Sequence, residues 1–300
     1  MGLLTGWRMS PVTTQISRGT LLKRMQELET LPTLPAVAQK VFTLASDPEV
    51  TLKDLQGVIM LDPPLTAKVM KVANSAYAGR RFPATGLESA LVTIGMQELV
   101  GICTTIGLLN AFSPWVPEYF DRRYFWLHSA SSAYIAQHLA LSDPKLSGKS
   151  HELFLAGILH DIGWIVMDYL APDSVKRAYI MREEIREWSS KLERRYLGMD
   201  HVEAGFLFLR FWNLPEEVVF VAMSHHEPET AGPWKRHAHL LQLAIQLAPY
   251  KHPFSILVPE EQVISVDSGQ KKLLTLAQWR ERESNLVEHA KKFADMITGG

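Results

Sequence analysis

Apolar positions recur three to four residues apart along most of the chain, the period of helices that bury one face. Residues 1–18 are the exception: Gly, Ser, Thr and Pro mix there without a period and read as a flexible lead-in. Thr51 and Asp54 stand at capping-box spacing between Val50 and Leu55, a hydrophobic staple, so a helix opens there. Asp62-Pro63-Pro64 reads as an N-cap followed by proline at the first helical position, ahead of Leu65, Val69, Val72 and Ala76. Thr85-Gly86-Leu87-Glu88 reads as a second capping box, opening a helix with Leu87, Leu91 and Ile94 on one face. Prolines in Ser113-Pro114-Trp115-Val116-Pro117 break the pattern and mark a boundary.

Helices resume near Tyr124 and pause in a loop over Pro144 to Ser150. The pattern then predicts helices over His151 to Tyr169, His201 to Trp212, Glu216 to His226, Ala238 to Leu247 and Leu273 to Ile297. Asn213-Leu214-Pro215 is a turn, and alternation over Ser255 to Val266 predicts a short hairpin. Strand–helix alternation is missing, so the expected fold class is all-α, a multi-helix bundle. The expected organisation is a lead-in over 1–18, an N-terminal helical subdomain over 19–117, a second helical subdomain over 118–250, and a hairpin or loop with a closing helix over 251–300.

Composition narrows the function. The 300 residues carry 31 Lys plus Arg against 32 Asp plus Glu, a net charge of -1, which argues against general nucleic-acid binding. The single cysteine, Cys103, excludes a disulfide framework within the chain and a multi-cysteine zinc site, and it fits a cytoplasmic location. The most apolar stretch, Leu91 to Phe112, is interrupted by Gln97 and Glu98 and reads as a buried helix, so no membrane association is expected. Arg80-Arg81 and Arg122-Arg123 read as solvated surface clusters.

The candidate chemistry lies in the second half. Asp161 sits in Phe154-Leu155-Ala156-Gly157-Ile158-Leu159-His160-Asp161-Ile162-Gly163-Trp164-Ile165-Val166-Met167, apolar on every face and therefore buried. A buried carboxylate costs several kcal/mol unless it is paired, hydrogen-bonded or bound to a cation. No Lys or Arg occurs from Phe154 to Val175, so the partner comes from another element or from an ion. Of the eleven His, His128, His160, His201, His225 and His226 fall where they could converge on Asp161. Imidazoles with a carboxylate suit a divalent transition metal: iron, manganese, zinc or nickel. The same set also reads as a polar core in which the His hydrogen-bond to each other and to Asp161. His138, His151, His237, His239, His252 and His289 have no such setting and read as surface or loop residues.

His128, then His160-Asp161 within Leu-His-Asp-Ile-Gly, resembles the HD superfamily of metal-dependent phosphohydrolases. His201 and the pair His225-His226 resemble its HD-GYP branch. The N-terminal half is similar to the HDOD family over Leu31-Pro32-Thr33-Leu34-Pro35, Leu61 to Val69, Val72 to Tyr77 and Ser89 to Gly95. That resemblance covers about residues 20–250 and implies an all-helical bacterial signalling module with an HD-like C-terminal subdomain. It also implies metal-ligand roles for His128, His160, Asp161, His201, His225 and His226, with Asp161 bridging.

The departures are equally specific. The superfamily glutamate falls at Tyr124, its lysine at Trp164 and its last aspartate at Ile245, and Glu227-Pro228-Glu229-Thr230 replaces the Gly-Tyr-Pro signature. A second ion would therefore have His128, His160 and a shared Asp161 but would lack the further Asp and Glu, and two-metal hydrolysis needs both ions. The expected function is a signalling output or interaction module with a protein partner, a metal of which one ion is retained, and impaired catalysis. The competing expectation is a phosphohydrolase or phosphodiesterase acting on nucleotides or cyclic dinucleotides.

Overall fold

The computed structural model describes residues 16–27, 36–45, 47, 49–76, 84–112, 121–185, 190–250, 263–267 and 271–298. The first helices are α1 (Arg18–Glu27), α2 (Ala36–Ala45), α3 (Leu52–Ile59), α4 (Pro63–Ala76), α5 (Leu87–Ile94) and α6 (Met96–Ala111). Then come α7 (Arg122–Leu141), α8 (Ser150–Leu159), α9 (Ile162–Leu170), α10 (Pro172–Ile185), α11 (Ser190–Leu197), α12 (His201–Phe211), α13 (Glu216–Met223) and α14 (Lys235–Leu247). Strands β1 (Val263–Asp267) and β2 (Lys271–Thr275) pair antiparallel before α15 (Leu276–Arg282) and α16 (Ser284–Thr298). The fold is all-α with one hairpin among the described residues.

The local signals work as written at two helix starts. Thr51 Oγ1 accepts from the Asp54 amide while Asp54 Oδ2 accepts from the Thr51 amide. Asp62 Oδ1 accepts from the Leu65 amide at 2.9 Å. At the third, the cap is one residue later than expected. Gly86 is the N-cap of α5, and Ser89 Oγ, not Glu88, reaches back to its amide. Asn213, at φ 54°, ends the run after α12, and the Leu214 amide closes onto Leu209 O.

Two longer expectations are corrected. The closing helix does not begin at Leu273: residues 271–275 form β2, and helix starts only at Leu276. The expected hairpin is real but shifted, with Val263 opposite Thr275, and its positions 255–262 lie outside the described residues. The Ser113 to Pro117 boundary and the Arg80-Arg81 pair also lie outside them, as does nearly all of the lead-in.

Helix α7 is the axis of the C-terminal half, buried on almost every face from Phe125 to Gln137, with α8, α14 and α16 packed around it. Gly157 makes the α7–α8 contact close: a Cβ there would stand 2.6 Å from Ala133 Cα. Phe112, after α6, enters a cluster with Trp126, Phe208 and Trp212 at 6.0–6.4 Å between centroids, tying the two halves together. Ser147–Leu170 is long and apolar enough to cross a membrane, yet it is covered by its neighbours and serves as core.

The N-terminal ends of α8, α13 and α14 meet in a second polar group. Lys149 Nζ bridges Glu152 at 3.0 Å and Glu217 at 2.8 Å, with His151 against Glu152 and His237 against Glu217. His138, His151 and His237 are therefore not free surface residues: each is largely covered, and burial pushes each imidazole below its ordinary value. A His lowered in the fold contributes fully above its unfolded value of ~6.5 and loses that contribution as pH falls through the window below it. His237→Gln is accordingly expected to lose less thermal stability than wild type between pH 7 and pH 5, measured by calorimetry.

Candidate metal centre

The expected single helix from His151 to Tyr169 is broken where the chemistry lies. Helix α8 ends at Leu159, α9 starts at Ile162, and Asp161 adopts φ -105°, ψ 9° between them. The break lets α9 turn onto α12. Gly163 permits that contact, since a Cβ there would clash with the His201 carbonyl and lie 2.8 Å from the Gly205 amide. His201 is the first residue of α12, after the N-cap Asp200. His225 and His226 do not end α13 as expected but follow it, past the cap Ser224, where the chain bends. His128 comes from the middle of α7.

All six residues meet. Asp161 divides its oxygens between two groups. Oδ1 lies 3.5 Å from His201 Nε2 and 3.6 Å from His225 Nε2. Oδ2 lies 2.9 Å from His160 Nε2 and 3.9 Å from His128 Nε2. His201 Nε2 is 3.0 Å from His226 Nε2 and 3.4 Å from His225 Nε2. His128, His160, Asp161, His201 and His225 are at most 5% exposed, and His226 stands at the rim.

The rings are aimed from behind. His128 Nδ1 donates to Tyr250 O at 2.8 Å, His160 Nδ1 to Gly157 O at 2.7 Å and His225 Nδ1 to Ala222 O at 2.7 Å. A carbonyl only accepts, so each Nδ1 carries hydrogen and each ring turns its Nε2 inward, the atom that can offer a lone pair to a metal. Glu193 does the same for His201, its Oε2 taking both the backbone amide and Nδ1 at 2.7 Å.

This donor set fits a cation. Lone pairs of His128 and His160 and a carboxylate oxygen face one point, and buried His160 Nε2 makes no hydrogen bond there. Without an ion that arrangement is repulsive. Metal–ligand bonds of ~2.1 Å put adjacent donors ~3.0 Å apart in an octahedron and ~3.4 Å apart in a tetrahedron. The separations of His201 Nε2 from His226, His225 and Asp161 Oδ1, and of His225 Nε2 from Asp161 Oδ1, run from 3.0 to 3.6 Å and fall close to those edges.

Without metal, the surroundings of His201 favour its charged form. Burial pushes its imidazolium down, but Glu193, followed by Asp161 and Asp200, more than offsets this, and the group is raised to about 9. Burial, then the neighbouring rings, holds His225 well below its ordinary value. Desolvation of its inner side, then His201, lowers His226 to about 4.

Trp164, standing where the superfamily has lysine, lies flat against His201 at 5.2 Å between centroids. Tyr124 is half-exposed with its ring edge to Tyr250, and Ile245 packs against the core. None of the three offers a carboxylate. Sequence reasoning missed Glu193, which lies in the charge-dense Ser-Lys-Leu-Glu-Arg-Arg-Tyr-Leu helix and looks solvated, yet is 1% exposed. The N-cap Asp200 was findable by capping rules; Tyr250 acts here through a backbone carbonyl, which leaves no sequence signal. Glu193→Gln keeps the shape but removes the charge behind His201. It is expected to weaken metal binding by ~10–100-fold, the usual cost of an outer partner, read by competition with a chromophoric chelator.

The comparisons agree with this architecture. A crystal structure of an HDOD domain protein of unknown function from Geobacter sulfurreducens superposes with a TM-score of 0.75 at 20% identity, over 93% of this chain and 97% of that one. A "Putative phosphohydrolase" from Shewanella amazonensis SB2B superposes with a TM-score of 0.70 at 24% identity, over 93% and 98%. An uncharacterized protein of Treponema pallidum (strain Nichols) is 24% identical over 201 residues, 66% of this chain and 38% of that protein, so the chain spans well under half of that relative. The HDOD domain profile matches residues 31–228, more than half of the chain. The chain belongs to the HDOD family.

Proposed function

We propose that this chain is a cytoplasmic signalling output or interaction module that acts through a protein partner and retains a metal centre with impaired hydrolytic chemistry. One observation carries the reading: five imidazoles and one carboxylate converge with four Nδ1 groups anchored outward, while Tyr124, Trp164 and Ile245 stand where further ligands and a lysine would. His201, His225, His226 and Asp161 would hold one ion. His128, His160 and Asp161 would hold a second only weakly, since they bring a single shared negative charge. A bound ion would supply a Lewis acid and neutralise Asp161. The residues themselves orient the rings, exclude water and keep the carboxylate buried.

Elemental analysis of protein purified without chelator tests the metal, with about one iron, manganese, zinc or nickel per chain expected. Affinity capture from the native host tests the partner, and recovery of nothing reproducible counts against the module. A second reading, hydrolysis of a nucleotide or cyclic dinucleotide phosphoester, is favoured by the way Asp161 directs one oxygen to each group. Turnover by manganese-loaded wild type but not by an Asp161 variant would establish it.

A further inference from the structure

We infer that Tyr250 and Asp295 form a positioning relay that fixes the His128 ring and, through it, the half of the centre made by His128, His160 and Asp161. The consequence for metal rests on the reading above; the geometry belongs to the metal-free protein.

The anchors of the rings differ in kind. Gly157 O and Ala222 O each lie three residues before the ring they hold, in the last turn of the helix that leads into it. The His128 anchor is 122 residues away, on Tyr250, beyond the end of α14 and its cap Ala248. A carbonyl outside a helix has no ladder to set its direction. The Tyr250 side chain takes that role. Its hydroxyl donates to Asp295 Oδ2 at 2.8 Å, and its ring meets the Tyr124 ring edge-on at 6.4 Å.

Asp295 is itself placed. It lies on α16 and pairs through Oδ1 with Arg123 Nη2 at 3.4 Å. Arg123 precedes His128 on α7, so the circuit runs from α7 to α16, to Tyr250, and back to α7. Because α16 also packs on α4 and α6, the relay connects the N-terminal half with the His128 ring. A hydroxyl that merely tied α16 down would affect stability and leave His128 alone.

The test uses full-length Tyr250→Phe, Asp295→Ala and Asp295→Asn proteins. In the metal-free state, nitrogen-15 NMR of the imidazoles reads the His128 Nδ1 hydrogen directly. Tyr250→Phe and Asp295→Ala are expected to speed its exchange by ~10-fold or more, with His225 unchanged as the internal control. Asp295→Asn retains an acceptor and should retain protection. In cobalt titrations, the weaker binding step should lose ~10-fold in affinity and the tighter step should hold. An unchanged His128 signal in Tyr250→Phe overturns the relay, and so does an equal change at His128 and His225. Failure of wild type to take up cobalt overturns the metal reading instead, and the NMR result still decides the relay.

Discussion

Asp161→Ala is expected to strip the metal from the protein entirely. Among the described residues Asp161 is the only carboxylate within reach of both His groups, and each of its oxygens faces one of them. Its loss leaves neutral imidazoles and no negative charge to offset the ion. The fall in affinity should exceed the ~100-fold upper range for an outer partner. Thermal unfolding offers a clean readout. An ion that binds only the folded state, at ~100 times its Kd, adds about 2.7 kcal/mol. Wild type should therefore shift upward in midpoint with added manganese, and Asp161→Ala should not shift at all. An equal shift in both proteins would place the ion elsewhere and dismiss this centre.

Gly163→Ala is expected to produce the largest loss of stability from a single methyl group. The new Cβ would occupy the space of the His201 carbonyl and crowd the Gly205 amide, both backbone atoms that cannot rotate away. Overpacking in a core costs ~1–3 kcal/mol, and contact with fixed backbone places this case at or above the upper end. The same displacement would move α12, and with it His201, away from Asp161. Urea titration should show the reduced midpoint, and metal competition should show weakened binding in whatever fraction folds. A matching substitution at Gly57, where an added Cβ meets nothing within 4 Å, is the control and should cause neither loss.

The legible part of this protein was local. Helix spacing, the Thr51–Asp54 box and the Asp62 cap depend on residues a few positions apart, and each formed as read. Asp161 was legible because an apolar run without Lys or Arg left its charge unexplained. The break at His160-Asp161 was not, because no proline marks it: α9 departs from α8 in order to pack on α12, a partner distant in sequence. Glu193 was hidden by its own helix, where two arginines and a lysine suggest solvent. In Lys271–Thr275 the pairing with Val263–Asp267 overrides a pattern equally compatible with helix.

The outward anchoring of the imidazoles has a consequence for descent. Their directions are dictated by peptide carbonyls and by Glu193, all of which persist when no ion is bound. Order at the centre therefore precedes its chemistry. On the proposed reading, residues such as Tyr124 and Ile245 can stand in place of ligands without meeting a folding barrier. A centre framed in this way keeps its shape whether it serves as a gauge of cellular metal or as mere ballast in the core.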